Sequence, residues 1–180
     1  MPPSLAQSRS VIKNALEAKW RLTAACCGAA LALDLGTKAA ARRFLNPWEA
    51  LPVINDFFSL VLAHNTGAAF SLLAGEGSPE QSLKMAALAF LALLPFIYFF
   101  IQAAPGERGR LAALGLIWGG ALGNIHDRLR WGAVVDFLDF QWRGHHWPAF
   151  NLADLFICLG AGLFGLSVWW KNPASPEGRG

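Results

Sequence analysis

Two aspartates, Asp136 and Asp154, have the type of side chain that could hydrolyse a peptide bond with water alone. A water held between two carboxyl groups is activated from both sides: the ionised carboxylate takes its proton, and the protonated one donates to the carbonyl oxygen. Two carboxyls in contact resist ionising together, so one pKa rises and a single shared proton survives toward neutrality. Each acid also has an ordinary reading. Asp154 precedes the apolar run Leu155–Trp170 and would suit the first turn of a helix, where the helix dipole favours an acid. Asp136 would serve equally as a loop acid. Asp139, three residues on, is of the same type, and nothing in the residues separates it from Asp136.

Other polar residues gather around these. Asp34 and Lys38 are four apart and share one helix face, as an intrahelical ion pair would. Asp127-Arg128 reads first as an ion pair or helix-end anchor. Asn65, Asn124 and Asn151 could each satisfy buried backbone or hold a substrate backbone. His64, His126, His145 and His146 fall at no ligand spacing, and the strongest metal motifs, CxxC and HExxH, do not occur; two carboxyls that activate water themselves call for no metal and no organic cofactor. Cys26, Cys27 and Cys158 lie inside apolar segments; an odd count with two adjacent argues for buried thiols over a disulfide framework.

The elements that must position these groups read as membrane helices. The chain has 180 residues, of which 54% are hydrophobic and 15% charged. So short a soluble domain could not hide that much apolar surface. A net charge of +3, scattered along the chain, excludes a nucleic-acid footprint. Met85–Ala104 carries no charge, and at about 1.5 Å per residue it reaches across a hydrocarbon layer of about 30 Å. Weaker runs join it, giving expected spans at 22–41, 85–104, 111–127 and 153–170 in a single membrane domain, 1–180. Ala24-Ala25-Cys26 faintly resembles a lipoprotein cleavage site, but almost no apolar stretch precedes Cys26, so the first helix is expected to be retained. Lys and Arg are somewhat denser in the tails and the Pro105–Arg110 turn, which places both termini in the cytoplasm.

With four spans, the end of span 1, the end of span 3 and the start of span 4 share one membrane surface. Asp34, Lys38, Asn124, Asp127, Arg128, Asn151 and Asp154 therefore meet there, with Asp136 and Asp139 in the 128–151 connection. Carboxylates at such depth cost roughly 2.5–3.5 kcal/mol each to insert and normally mark a site. Between spans 1 and 2, Phe57–Leu62 and Ala68–Leu73 flank His64-Asn65-Thr66-Gly67, which suggests a β-hairpin or small sheet within an extramembrane segment, about 46–80. Gly115, Gly119 and Gly123 are spaced for close helix packing in span 3, and Ala161 and Gly165 repeat the pattern more weakly in span 4. Most of the eight Trp fall near span ends, as interface belts do. The fold class is a mainly α membrane protein, four helices with a small sheet between the first two.

Five blocks in order resemble the lipoprotein signal peptidase (signal peptidase II) family of bacterial aspartic peptidases. They are Asp34-Leu-Gly-Thr-Lys38, His64-Asn65-Thr-Gly67-Ala-Ala-Phe70-Ser71, Gly119-Gly-Ala-Leu-Gly-Asn124-Ile-His-Asp127-Arg128, Val134-Val-Asp136-Phe137 and Phe150-Asn151-Leu-Ala153-Asp154. The resemblance covers roughly residues 20–170, and five ordered blocks are far more specific than any one. It implies that Asp136 and Asp154 form the catalytic pair and that Asp139 is a bystander. It also implies that Asp34, Lys38, Asn65, Gly67, Asn124, Asp127, Arg128 and Asn151 bind substrate or support the pair. The implied substrate is a diacylglyceryl-modified prolipoprotein, cut before its lipidated cysteine near the outer surface of the bacterial inner membrane. Membrane lipid as surroundings, a monomeric state and sensitivity to globomycin follow in the same way. Two rivals remain on physical grounds: a proton-coupled carrier, which would line both halves of the membrane with polar groups, and a non-enzymatic assembly factor, which would tolerate Asp→Asn changes.

Overall fold

The computed structural model describes residues 5–67 and 79–171. In chain order the elements are α1 (Leu5–Phe44), β1 (Leu51–Ile54), β2 (Phe58–Asn65), α2 (Pro79–Gln102), α3 (Arg108–Trp131), β3 (Val134–Trp142), β4 (His145–His146) and α4 (Leu152–Lys171). The fold is mainly helical with one small antiparallel sheet of order β1-β2-β3-β4.

The helices are inside-out relative to a water-soluble bundle. On α2, Leu83, Leu88, Phe90, Leu91, Leu94, Tyr98 and Ile101 all face outward. Stretches long and apolar enough to cross a membrane lie in Leu16–Phe44, Glu80–Gln102 and Leu152–Trp169. α3 does not qualify, because its glycines and its polar end, Asn124–Arg130, lower its hydropathy. It is instead the central element, packed against α1, α2 and α4 and with twelve buried residues. α1 begins far earlier than expected: the stretch up to Arg21, read as a polar tail, is helical from Leu5 onward.

Small residues set the spacing around α3. A Cβ added at Gly115 would stand 2.6 Å from the Thr23 carbonyl oxygen, and one at Gly119 2.5 Å from that of Cys27. The glycine face expected for packing thus receives α1. On α4 the expectation fails: Ala161 is exposed and Gly165 faces open space, while Gly160 meets Ile117 and the Ala113 carbonyl of α3. Four-residue spacing identifies a small-residue face but not which face a neighbour covers.

The sheet differs from the expected hairpin. β2 runs through His64 and Asn65, the anticipated turn, and pairs with β3, with Asn65 opposite Val134 and Ala63 opposite Asp136. The run Ala68–Leu73 lies outside the described residues. Half of the sheet, β3 and β4, comes from the 128–151 connection, where the sequence pattern signals no strand. Gly132, at φ 75°, ends α3 in a left-handed cap and turns the chain into β3. Arg143 and Gly144, both at positive φ, make the two-residue turn into β4. Ala41 of α1 buries with Val135 and Phe137 beneath Leu60, Leu62 and Leu152, seating the sheet on the helix ends.

Gly119→Val should lower the stability of the detergent-purified protein by roughly 2–3 kcal/mol, because α1 backbone blocks the added methyls. Gly165→Ala, facing open space, should leave the melting temperature level or slightly raised. Equal melting shifts in the two variants would contradict this packing.

Candidate active site

Three sections of backbone, together with the end of α3 and the end of β2, bring the polar residues together. The first is the α1 face carrying Asp34, Lys38 and, one turn further, Arg42. Lys38 is wholly buried, its ammonium 2.8 Å from Asp34, 3.3 Å from Asp127 and 2.8 Å from the Asn124 side-chain oxygen that accepts its proton. A buried cation demands such partners, since desolvating an unpaired charge is prohibitive. The expected Asp34–Lys38 pair is present, but it is one edge of a larger network.

The two acids at its centre also hold backbone. Asp34 accepts the Ala153 N–H at 2.9 Å, fixing the first turn of α4 to α1. Asp127 accepts the Val135 N–H at 3.2 Å, fixing the strand immediately before Asp136. Arg42 lies 3.8 Å from Asp127 and stacks its guanidinium over Trp131. The sequence reading overlooked Arg42, although Asp34, Lys38 and Arg42 recur at four-residue intervals on one helix face.

The second section is the entry turn of α4. The Asn151 side-chain oxygen accepts the Asp154 N–H at 3.1 Å, and Asp154 accepts the Asn151 N–H at 3.2 Å, a reciprocal cap. The third is β3, where Asp136 is buried and accepts from Asn151 at 2.6 Å and from Asn65 at 3.0 Å. Asn124 donates to Asp154 at 2.8 Å. Asn151 therefore ties both carboxyl groups to one residue, through its side-chain amide on Asp136 and its backbone N–H on Asp154. Asp154 is a first-turn cap, as its place before the apolar run suggests, and it also lies within electrostatic reach of Asp136.

Strand parity separates the acids that composition left equal. Asp136 and Asp139 are three apart on β3 and point to opposite faces. Asp139 pairs with His146 at 3.1 Å, away from Asp154. Gly67, at φ 89°, donates its N–H to the Asn65 side-chain oxygen at 2.8 Å, holding the amide that reaches Asp136. Arg128 donates to the Asn124 carbonyl at 3.3 Å and lies within the electrostatic reach of Asp154, Asp136 and Asp127. Its Nε is buried without a hydrogen-bond partner. His126 sits 3.4 Å from Asp127, while His64 contributes a strand position opposite Val135. Among the described residues, no group of three or more His, Cys, Asp or Glu side chains is arranged to hold a metal.

The electrostatics favour one extra proton. Burial pushes the Asp136 carboxyl up to about 6, the negative charge of Asp154 adds to the rise, and the Asn65 and Asn151 amides and Lys38 oppose it. The group also holds four carboxyls, Asp34, Asp127, Asp136 and Asp154, against three cations, Lys38, Arg42 and Arg128. One proton on a carboxyl leaves the set neutral.

Known proteins similar to this chain identify its family. The family model for signal peptidase (SPase) II, Peptidase_A8, matches residues 26–170. The lipoprotein signal peptidase of Syntrophotalea carbinolica is 40% identical over 153 residues, 84% of this chain and 93% of that protein. That of Ralstonia nicotianae is 50% identical over 131 residues, 73% of this chain and 74% of its own. A bacterial membrane enzyme solved by the in meso method at 2.3 Å resolution superposes with a TM-score of 0.72 at 26% identity, covering 88% of this chain and 93% of its own. This chain is a peptidase and belongs to the signal peptidase II family.

Proposed function

We propose that this protein removes signal peptides from diacylglyceryl-modified prolipoproteins, cutting before the lipidated cysteine with a water held between Asp136 and Asp154. The observation that carries the reading is the pairing of the two carboxyls on Asn151, one through its side chain and one through its backbone. In this mechanism Asp136, whose pKa is raised, enters protonated and Asp154 enters ionised. Asp154 takes a proton from water as its oxygen attacks the scissile carbonyl carbon, and Asp136 donates to the carbonyl oxygen. Collapse of the tetrahedral intermediate breaks the C–N bond; the amine leaves with the proton from Asp154, and Asp136 recovers its own.

The remaining polar groups have supporting roles. Lys38 and Asn124 orient Asp154, Asn65 and Gly67 orient Asp136, and Asp34 and Asp127 fix the backbone on which the two acids stand. Arg128, with its unpartnered Nε, is suited to hold a substrate carbonyl. The architecture proposed is a single domain, with α1 to α4 all crossing the bacterial inner membrane, both termini cytoplasmic and the sheet at the outer surface. The apolar signal segment reaches the site laterally between helices, and the scissile bond meets water at the helix ends. The working unit is a monomer in membrane lipid, inhibited by globomycin.

Asp136→Asn or Asp154→Asn should cut cleavage of a fluorescent lipidated peptide by roughly 10²–10⁴-fold or more while the purified protein still melts cooperatively. Retained turnover in both variants would remove the assignment. Excess chelator should leave the wild-type rate unchanged; a loss restored by a divalent ion would point to metal catalysis. The pH profile supplies a separate check. Activity requires protonated Asp136, so kcat/KM should fall as pH rises through about 6. Asn65 favours the ionised form of Asp136, so Asn65→Ala should move this limb to higher pH, whatever it does to the absolute rate. A limb that stays in place or moves lower would contradict the Asn65–Asp136 contact.

A further inference from the structure

The sheet face that carries Asp136 continues into an aromatic cleft that the catalytic reading does not use. Val134, Asp136, Leu138, Phe140 and Trp142 alternate onto one face of β3. Phe140 is the hub of the cleft: it stacks on Phe58 at 4.7 Å and on Phe150 at 5.8 Å, and meets Phe57 edge-on at 5.6 Å. Phe57 in turn meets Trp142 edge-on at 6.2 Å. Phe57, Phe140, Trp142 and Phe150, with His146 and Trp147, line an open cleft of about 600 Å³. Trp142 and Trp147 remain 64% and 69% exposed. An exposed aromatic patch beside a catalytic centre is a candidate recognition surface.

Its distance from the dyad identifies the occupant. At about 3.3 Å per residue, Phe140 and Trp142 stand roughly 13 and 20 Å along the strand from Asp136. An extended peptide covers that span in four to six residues. In the proposed mechanism the signal segment lies between the helices, so the peptide reaching this cleft belongs to the other side of the scissile bond. β3 is already paired with β2 and, beyond Phe140, with β4, so a peptide here would lie across side chains and not add a strand. Phe150 is the direct chain neighbour of Asn151, which makes the cleft wall continuous with the residue that holds both carboxyls.

Resting on the proposed processing of lipidated prolipoproteins, we infer that this cleft is a specificity subsite for the mature side of the substrate. It would take an aromatic or large aliphatic side chain four to six residues beyond the scissile bond. Two lipidated peptides, differing only by Trp or Gly at the fifth residue after the cut, test it. Wild-type protein should cleave the Trp peptide with a kcat/KM roughly tenfold higher, expressed mainly in KM, as partial burial of one large side chain would give. In Trp142→Ala/Trp147→Ala the ratio should collapse toward one. An unchanged ratio, or an equal loss for both peptides as a membrane anchor would produce, overturns the inference.

A photoreactive phenylalanine analogue at the same substrate position, presented to Asp154→Asn protein, gives a readout that does not need the double variant to fold. Crosslinks should map to residues 140–150; crosslinks confined to the helices would refute the subsite. Failure of wild-type protein to cut either peptide would count against the proposed processing itself, a different outcome from cutting both equally.

Discussion

One buried ammonium organises this molecule. Lys38 has no access to solvent, and an unpaired charge there would be untenable. Its neutralisation by Asp34 and Asp127, and its hydrogen bond to Asn124, oblige α1 and α3 to meet at one level. The same two acids take backbone N–H groups from α4 and β3, so the requirement spreads to the elements that carry Asp154 and Asp136. The close approach of α1 and α3 makes this geometry possible. Gly123 has only a hydrogen where a Cβ would press into the Asp34 carboxylate. Apolar packing around α3 and the buried ion network are thus two aspects of one constraint.

Asparagine serves here as a neutral connector between charges. Asn124 accepts a hydrogen bond from Lys38 and donates one to Asp154; Asn151 caps α4 while reaching Asp136. An amide accepts and donates at once, so it can link a cation to a carboxylate without adding charge to a dehydrated site. A carboxylate in place of either asparagine would upset the balance in which four acids face three bases. That balance, together with the burial of Asp136, lets the site keep a proton up to about pH 6, well above the range of an ordinary aspartate.

Much of this was legible in the sequence. Charges inside apolar runs are costly enough to single out Asp34, Lys38, Asp127 and Asp154, and the fold does bring these residues into one polar network. The glycine series of α3 correctly signalled close packing. Other features depend on three-dimensional pairing. Residue type and spacing leave Asp139 level with Asp136, and the family resemblance alone favours Asp136; on β3, strand parity puts the two on opposite faces. β3 itself was obscured because its turn, Arg143-Gly144, lacks the Asn-Gly or Asp-Gly pair that usually marks a hairpin. Arg42 escaped notice because an arginine at a helix end is commonly a solvated anchor, and only its contact with buried Asp127 gives it another role. The helical extension of α1 before Arg21 was missed because polarity was taken for a tail, whereas a polar segment can continue a helix that packing elsewhere has already nucleated.

The central claim is that one proton resides on Asp136 beside an ionised Asp154, and infrared titration of the carboxyl C=O stretch of the purified protein tests it most directly. The account expects one protonated-carboxyl band that titrates with a midpoint at about 6 and is missing from Asp136→Asn. A midpoint near that of an ordinary aspartate, or the same band surviving in Asp136→Asn, would contradict it.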